Sequence, residues 1–299
     1  MKHEILDSSG KVAYLLGNEA IARGALEAGV NFASGYPGTP STEVLETLIN
    51  VADKVGMKAE WAVNEKVAYE SGLAASLSGL RALVTMKHVG LNVAADSFVS
   101  SAYTGVVGGF VVVVADDPSM HSSQNEQDTR FYGQLARIPI IEPSNAQECK
   151  DFVKVAFDIS EKVELPVVLR TTTRVSHSRG VVMLGEITKS NRKPLFNKNP
   201  GRFQLLPSIA KKNRILLLER FNKLNNLIEE IKLEKRIGNG SRLGIITAGA
   251  AYPNVIEAVD TLDLWNMVSV LKLTFTYPLP KRVITDFIRS VDEVLVVEE

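Results

Sequence analysis

GYPGTPS, residues 35–41, and WAVNEKVAYESGLAASLSG, residues 61–79, are the stretches from which the rest of the chain is read. In the first, Gly35 and Gly38 reach backbone angles closed to other residues while Pro37 and Pro40 fix φ. The loop is therefore rigid and holds Thr39 in a defined place. In the second, Asn64 is a natural N-cap and Glu65 falls in the first helical turn. Behind Glu65 runs a face of small residues, Ala68, Ser71, Gly72, Ala75 and Gly79, which lets another backbone come close. Taken alone, an acidic residue at that point suits the helix dipole and needs no further role. The segments around it decide between capping and chemistry.

Outward from these stretches, residues 12–175 alternate short β-rich runs with helical segments, the pattern of a parallel α/β sheet with helices on both faces. VAYLL (12–16), VNFASGY (30–36), KAEWAV (58–63), RALVTM (81–86), FVVVVA (110–115), IPIIE (138–142) and PVVLRT (166–171) are near-continuous apolar runs, as buried strands require. The first helix, NEAIARGALEAG, is given Asn18 as cap, a Glu19–Arg23 pair and Gly29 as stop. The second opens at Ser41 or Thr42, lines Val44, Leu45, Leu48, Ile49, Ala52 and Val55 on one side, and stops at Gly56. A third starts at Asn64, and a fourth is expected over Asn92–Tyr103 after the loop KHVGLN. In open α/β sheets ligands sit outside the carboxyl ends of the strands, which is where Thr39, Glu65 and the Lys87–Asn92 loop should converge.

The polar run DDPSMHSSQNEQDTR, residues 116–130, follows another strand end. Asp117 and Pro118 suit a simple turn, yet a long loop inside a compact domain is often functional, and Arg130 can hold a carboxylate bidentately.

Composition excludes several classes. Lys plus Arg and Asp plus Glu number 34 each, so no net field favours nucleic acid or an anionic membrane. No window reaches the ~18 apolar residues of a membrane helix, and MKHEILDSSG lacks a signal peptide's apolar region, so a cytoplasmic location is expected. The single cysteine, Cys149, rules out an internal disulfide and a cysteine-held iron-sulfur cluster within these residues. Four scattered histidines lack zinc-ligand spacing, and neither G-x-G-x-x-G nor a P-loop occurs.

Residues 176–207 turn basic and rich in Gly, Pro and Asn, and read as an interdomain linker. A helix is expected over 208–235. The strands LGIITAG (243–249), MVSVLKL (267–273) and EVLVVEE (293–299) then make a smaller α/β domain over 208–299. A buried last strand flush with the terminus points to chain removed downstream, or to another polypeptide covering it.

GYPGTPS, EWAVNEKVAYESGLAAS, TMKHVGLNVAAD and HSSQNEQDTRFYG resemble, in that order, the amino-terminal half of the alpha subunits of indolepyruvate:ferredoxin oxidoreductases, a family of thiamine-diphosphate-dependent 2-oxoacid:ferredoxin oxidoreductases. The resemblance spans essentially the whole chain and is strongest over 12–175. It implies that residues 1–175 form a pyrimidine-binding domain of the thiamine-enzyme fold, and that 208–299 resemble a transketolase C-terminal domain. It places Glu65 as the catalytic acid that shares a proton with the pyrimidine N1′. Gly38, Thr39 and Pro40 join it as cofactor-binding residues, and Thr39, His88, Asn92 and Arg130 as substrate-binding ones. His121 and Gln124 lie on a loop expected to close over the cofactor.

The family's activity is oxidative decarboxylation of aryl pyruvates to acyl-coenzyme A with ferredoxin as acceptor. Its G-D-G motif for Mg²⁺ and diphosphate is missing here, as are cluster-binding cysteines. The resemblance therefore implies a pyrophosphate-binding domain, iron-sulfur clusters and a beta subunit beyond this sequence, an oligomeric enzyme, and no activity for this chain by itself. The alternatives are another 2-oxoacid, pyruvate or 2-oxoglutarate, or an assembly module that has lost the cofactor.

Overall fold

The computed structural model describes residues 4–299. A 3₁₀ turn (Glu4–Leu6) precedes β1 (Val12–Leu16) and α1 (Gly17–Glu27). There follow β2 (Phe32–Gly35), α2 (Thr42–Val55), β3 (Lys58–Trp61), α3 (Glu65–Leu77), β4 (Ala82–Lys87), α4 (His88–Thr104), β5 (Phe110–Asp116) and α5 (Arg130–Ala136). Next come β6 (Ile140–Ile141), α6 (Ala146–Val163), β7 (Val167–Thr172), α7 (Thr173–His177), β8 (Arg179–Met183), α8 (Pro200–Phe203) and α9 (Pro207–Ile231). The chain closes with β9 (Lys235–Ile237), β10 (Leu243–Ala248), α10 (Ala251–Thr261), β11 (Val268–Leu273), β12 (Phe275–Tyr277), α11 (Lys281–Ile288) and β13 (Glu293–Val297).

Seven strands make the principal sheet in the order β12-β6-β7-β5-β4-β2-β3, parallel throughout except for the antiparallel edge strand β12. All seven residues of β5 are buried, which is why its sequence is a continuous apolar run rather than an alternation. The helices start and stop where local chemistry dictates: the Asn64 side chain accepts from the Val67 N–H, and Gly56 ends α2 at φ 72°. Four more strands form a second sheet in the order β13-β10-β11-β9. Its helices α10 and α11 bury Val255 and Val259 on one face and Phe287 on the other.

Several expectations change. VAYLL does not join the parallel sheet; β1 pairs antiparallel with β8 in a separate ribbon, with Val12, Tyr14, Val181 and Met183 on its exposed face. The stretch 176–207 is accordingly not all linker, since it supplies β8 and α8. Asn18 is not the cap of α1, which starts one residue earlier, and Arg23 pairs with Glu27 rather than Glu19. Glu19 instead accepts from the Leu16 N–H. Helix α4 begins at His88, four residues before its expected start. Helix α9 buries Leu217, Leu224 and Ile228 in the core of the principal sheet. Strand β13 is half-exposed at Val294, Leu295 and Val296 rather than buried.

The two sheets are joined through α6. Glu148 meets the buried ammonium of Lys272 from β11, which also lies over the rings of Phe152 (5.4 Å) and Tyr252 (5.2 Å). Burial alone would raise the Glu148 carboxyl, but Lys272 and hydrogen bonds from Ser144 hold it below the usual carboxylate range.

Candidate functional site

The first turn of α4 is the place where the separate segments meet. β4 passes into it without a loop, so Lys87 ends the strand and His88 is already helical. Three connections from neighbouring strands close around this junction.

The first is GYPGTPS. A Cβ on Gly38 would lie 3.1 Å from Lys87 Cδ, so glycine is what lets the loop rest on the lysine stem. The loop is tied from within and below: Ser41 N–H and Oγ both donate to the Gly38 carbonyl at 2.8 Å, and Thr85 Oγ1 donates to the Ser41 carbonyl at 3.2 Å. Fully buried Asn18 donates through Nδ2 to the Pro40 carbonyl and to Glu43, each at 2.7 Å. The peptide between Thr39 and Pro40 is cis, Pro40 is buried, and Thr39 is exposed.

The second is the start of α3. Glu65 is 9% exposed. Its neighbours are engaged, Asn64 with the Val67 N–H and Lys66 with Asp96 (3.1 Å) and Glu70 (3.8 Å), yet among the described residues the Glu65 carboxylate makes no ion pair or side-chain hydrogen bond. It packs against Gly90 on α4. Exposed apolar side chains occur on the elements that meet here: Tyr36 and Trp61 at adjacent strand ends, Val63 and Val67 on the chain either side of Glu65, and Val93 on α4.

The third is the loop 117–129, which is ordered by two buried aspartates at the end of β5. Asp116 accepts from the Thr129 N–H (3.0 Å) and hydroxyl and from Arg170 Nε (2.7 Å), while Arg170 also reaches Glu142 at 2.8 Å. Asp117 accepts from Thr173 Oγ1 (2.6 Å) and the Ser122 N–H (2.8 Å). Burial works against its charge, but these hydrogen bonds hold its carboxyl far below the usual range. The loop lands on α4: His88 Nε2 lies 3.0 Å from the Asn125 carbonyl, and Tyr132 Oη donates to Asn92 Oδ1 at 2.5 Å. A carbonyl only accepts, so Nε2 carries the proton, and the buried Nδ1 of His88 has no protein partner among the described residues.

Thr39, Glu65, His88 and Asn92 are thus gathered around one helix start, as the strand-end argument requires. Arg130 is not. Its guanidinium is held by Asp128 (2.8 Å) and Glu298 (3.2 Å), and it lines a cavity of about 510 Å³ between the two sheets with Phe131, Gln134 and Thr247. His121 and Gln124 stand exposed on the loop. Sequence reading missed Gly90, Asp116 and Arg170, and it misread Asn18. The signal for Asn18 was present, since its position beside a helix start is also the position that faces the next strand's loop.

A nearly buried carboxylate without a protein donor, beside exposed apolar side chains, fits a heteroaromatic ring nitrogen with which it can share a proton. Residues 23–216 match the family model described as pyruvate flavodoxin/ferredoxin oxidoreductase, thiamine diphosphate-binding. The chain belongs to this family. It is 50% identical, over 99% of its length, to the indolepyruvate oxidoreductase subunit IorA of Methanothermobacter marburgensis, and 46% identical over 99% to that of Archaeoglobus fulgidus. The chain spans about half of those relatives, 48% of each. Among solved structures it resembles the 2-oxoglutarate:ferredoxin oxidoreductase of Magnetococcus marinus at TM-score 0.80 and 18% identity, covering 95% of this chain and 57% of that one. At that identity the likeness establishes the fold alone. The matched residues include most of the principal sheet and the start of α4. No helix among the described residues is long and apolar enough to cross a membrane.

Proposed function

We propose that this chain supplies the pyrimidine-binding wall of an oxidoreductase that decarboxylates aryl pyruvates, such as indolepyruvate, to acyl-coenzyme A with ferredoxin as electron acceptor. The observation that carries the reading is Glu65, a nearly buried carboxylate at the strand ends that no protein group satisfies. Identity of 46–50% to subunits named for indolepyruvate favours that substrate over other 2-oxoacids.

Thiamine diphosphate, when bound, supplies the carbon nucleophile and electron sink that decarboxylation of a 2-oxoacid needs. Within this chain, Glu65 holds the proton shared with the pyrimidine ring, and the apolar rim of Tyr36, Trp61 and Val67 keeps water from that proton. Gly38 and Pro40 set the backbone of the rigid loop, so that the exposed Thr39 hydroxyl meets the substrate carboxylate or carbonyl. His88 and Asn92 act on the site from the start of α4, His88 tied to Asn125 of the loop 117–129 that roofs it and Asn92 to Tyr132 of α5, the helix after that loop. Arg130 reaches a substrate carboxylate only by releasing Asp128 or Glu298. Mg²⁺, the diphosphate and the iron-sulfur clusters belong to protein outside these residues, with a beta subunit completing the enzyme.

The test is reconstitution of the complete enzyme and comparison of kcat/KM for indolepyruvate, phenylpyruvate, pyruvate and 2-oxoglutarate. Preference for the aryl substrates is expected. A preference for pyruvate or 2-oxoglutarate replaces the substrate class, and failure of the loaded assembly to bind thiamine diphosphate removes the enzymatic reading altogether.

A further inference from the structure

We infer that Gly90 is the positioning residue for Glu65: the side chain it lacks is the seat of the carboxylate. A Cβ on Gly90 would lie 2.5 Å from Glu65 Oε1, 2.6 Å from Cγ and 2.8 Å from Cδ, and all three of its nearest atoms belong to that one side chain. Non-bonded contacts to carbon settle near 3.5 Å, so a methyl group here displaces the carboxylate by about 1 Å.

The backbone conformation does not call for glycine here. Gly90 is the third residue of a right-handed helix and needs no left-handed backbone angle, unlike Gly56 or Gly105. Glycine in a helix is less favourable than alanine, so α4 gives up stability here. Other helical glycines have a packing reason: a Cβ on Gly24 would strike the backbone of Lys150, and one on Gly72 would strike Val84 and Phe110 of the sheet. At Gly90 the colliding group is a carboxylate that the protein leaves without a partner. The same helix turn carries His88, which meets the roof loop at Asn125, and Asn92, which meets Tyr132 of α5, so one turn of α4 carries both the floor under Glu65 and the supports of the loop and of the helix after it.

The inference takes from the proposed function only that Glu65 acts on the cofactor; the seat itself is tested without that premise. Four forms of the complete enzyme are compared: wild type, Gly90→Ala, Glu65→Ala and the double variant. Thermal midpoints are measured without cofactor. Gly90→Ala should lower the midpoint in the wild-type background and raise it, by about 2–4 °C, once Glu65 is truncated, because only the helix preference then remains. Gly90→Ala should also cut turnover by about 10²-fold, the usual consequence of a 1 Å misplacement, and weaken thiamine diphosphate binding about tenfold or more. In the Glu65→Ala background it should weaken binding no further.

The same midpoint change in both backgrounds overturns the inference. So does a further loss of cofactor affinity in the double variant, which would mean that Gly90 meets the cofactor itself. If Gly90→Ala does not fold, recovery of folding in the double variant supports the seat, and failure of both overturns it. Normal turnover in Glu65→Ala would refute the role of Glu65 while leaving the midpoint comparison able to decide the seat.

Discussion

Glu65→Gln should separate stability from function. Glutamine has the shape of glutamate, so the space over Gly90 stays filled and the packing of α3 on α4 is preserved. The charge is what changes. At 9% exposure the side chain is nearly buried, no cation or donor from the protein meets the carboxylate, and its oxygens keep their contact with solvent. A solvent-touching carboxylate escapes the penalty of a fully buried unsatisfied group, so the variant should change stability by less than about 1 kcal/mol. The loss of a negative charge in a helix's first turn accounts for a few tenths of a kcal/mol of that change. Turnover should fall by about 10²–10⁴, the usual share of a positioned acid or base. Chemical denaturation of the apo-protein gives the first quantity and single-turnover kinetics of the complete enzyme the second. A destabilisation above about 1 kcal/mol would refute the premise that the protein leaves this carboxylate unpartnered. Near-normal turnover would refute its role.

Other measurements probe the frame around that group. Glu148→Gln strands the buried Lys272 ammonium and should cost about 3–5 kcal/mol, whereas the pair Glu148→Gln with Lys272→Met should cost far less; additive losses would show that the two are not coupled. Asn18→Asp turns two donated hydrogen bonds into repulsion against the Pro40 carbonyl and Glu43, so it should cost about 2–3 kcal/mol and raise KM by loosening the Thr39 loop, with Asn18→Leu milder; equal effects would remove the repulsion from the account. Burial works against the charge of Glu161, but Arg81 and Arg192 hold its carboxyl at about 2. A lowered carboxyl contributes its stability above its unfolded value of 4.5 and loses it as pH falls toward 2. An acid titration should therefore show a loss of about 1 kcal/mol in that window, after screening at a partly exposed site, and Arg81→Met should flatten it.

What the sequence discloses depends on how local the cause is. The cap at Asn64, the stop at Gly56 and the buried runs of β4 and β5 are set within a few residues, and each is where the sequence puts it. The start of α4 is different. His88 carries no capping signal, and the helix begins there because β4 delivers the chain directly into it. In VAYLL the apolar run conceals an alternation, with Ala13 and Leu15 buried and Val12 and Tyr14 in solvent, that only pairing with β8 makes plain. Arg130 was legible as a carboxylate binder, but the carboxylate it holds from Glu298 lies 168 residues further along the chain.

The long-range couplings also explain why one wall of a site can be built with so few residues. Arg170 on β7 bridges Asp116 at the end of β5 and Glu142 just after β6, and Thr129 supplies the other bonds to Asp116. Thr276, from the chain that crosses back as the edge strand β12, donates to Glu142 at 2.7 Å. The roof loop is thereby attached to the principal sheet through Asp116 and to the second sheet's connection through Glu142. The connection, the loop and the first turn of α4 are thereby linked by one run of hydrogen bonds that ends at Asn125 and Tyr132. The wall holding Glu65 is consequently rigid on the side this chain builds, while its apolar rim remains free to receive whatever completes the site.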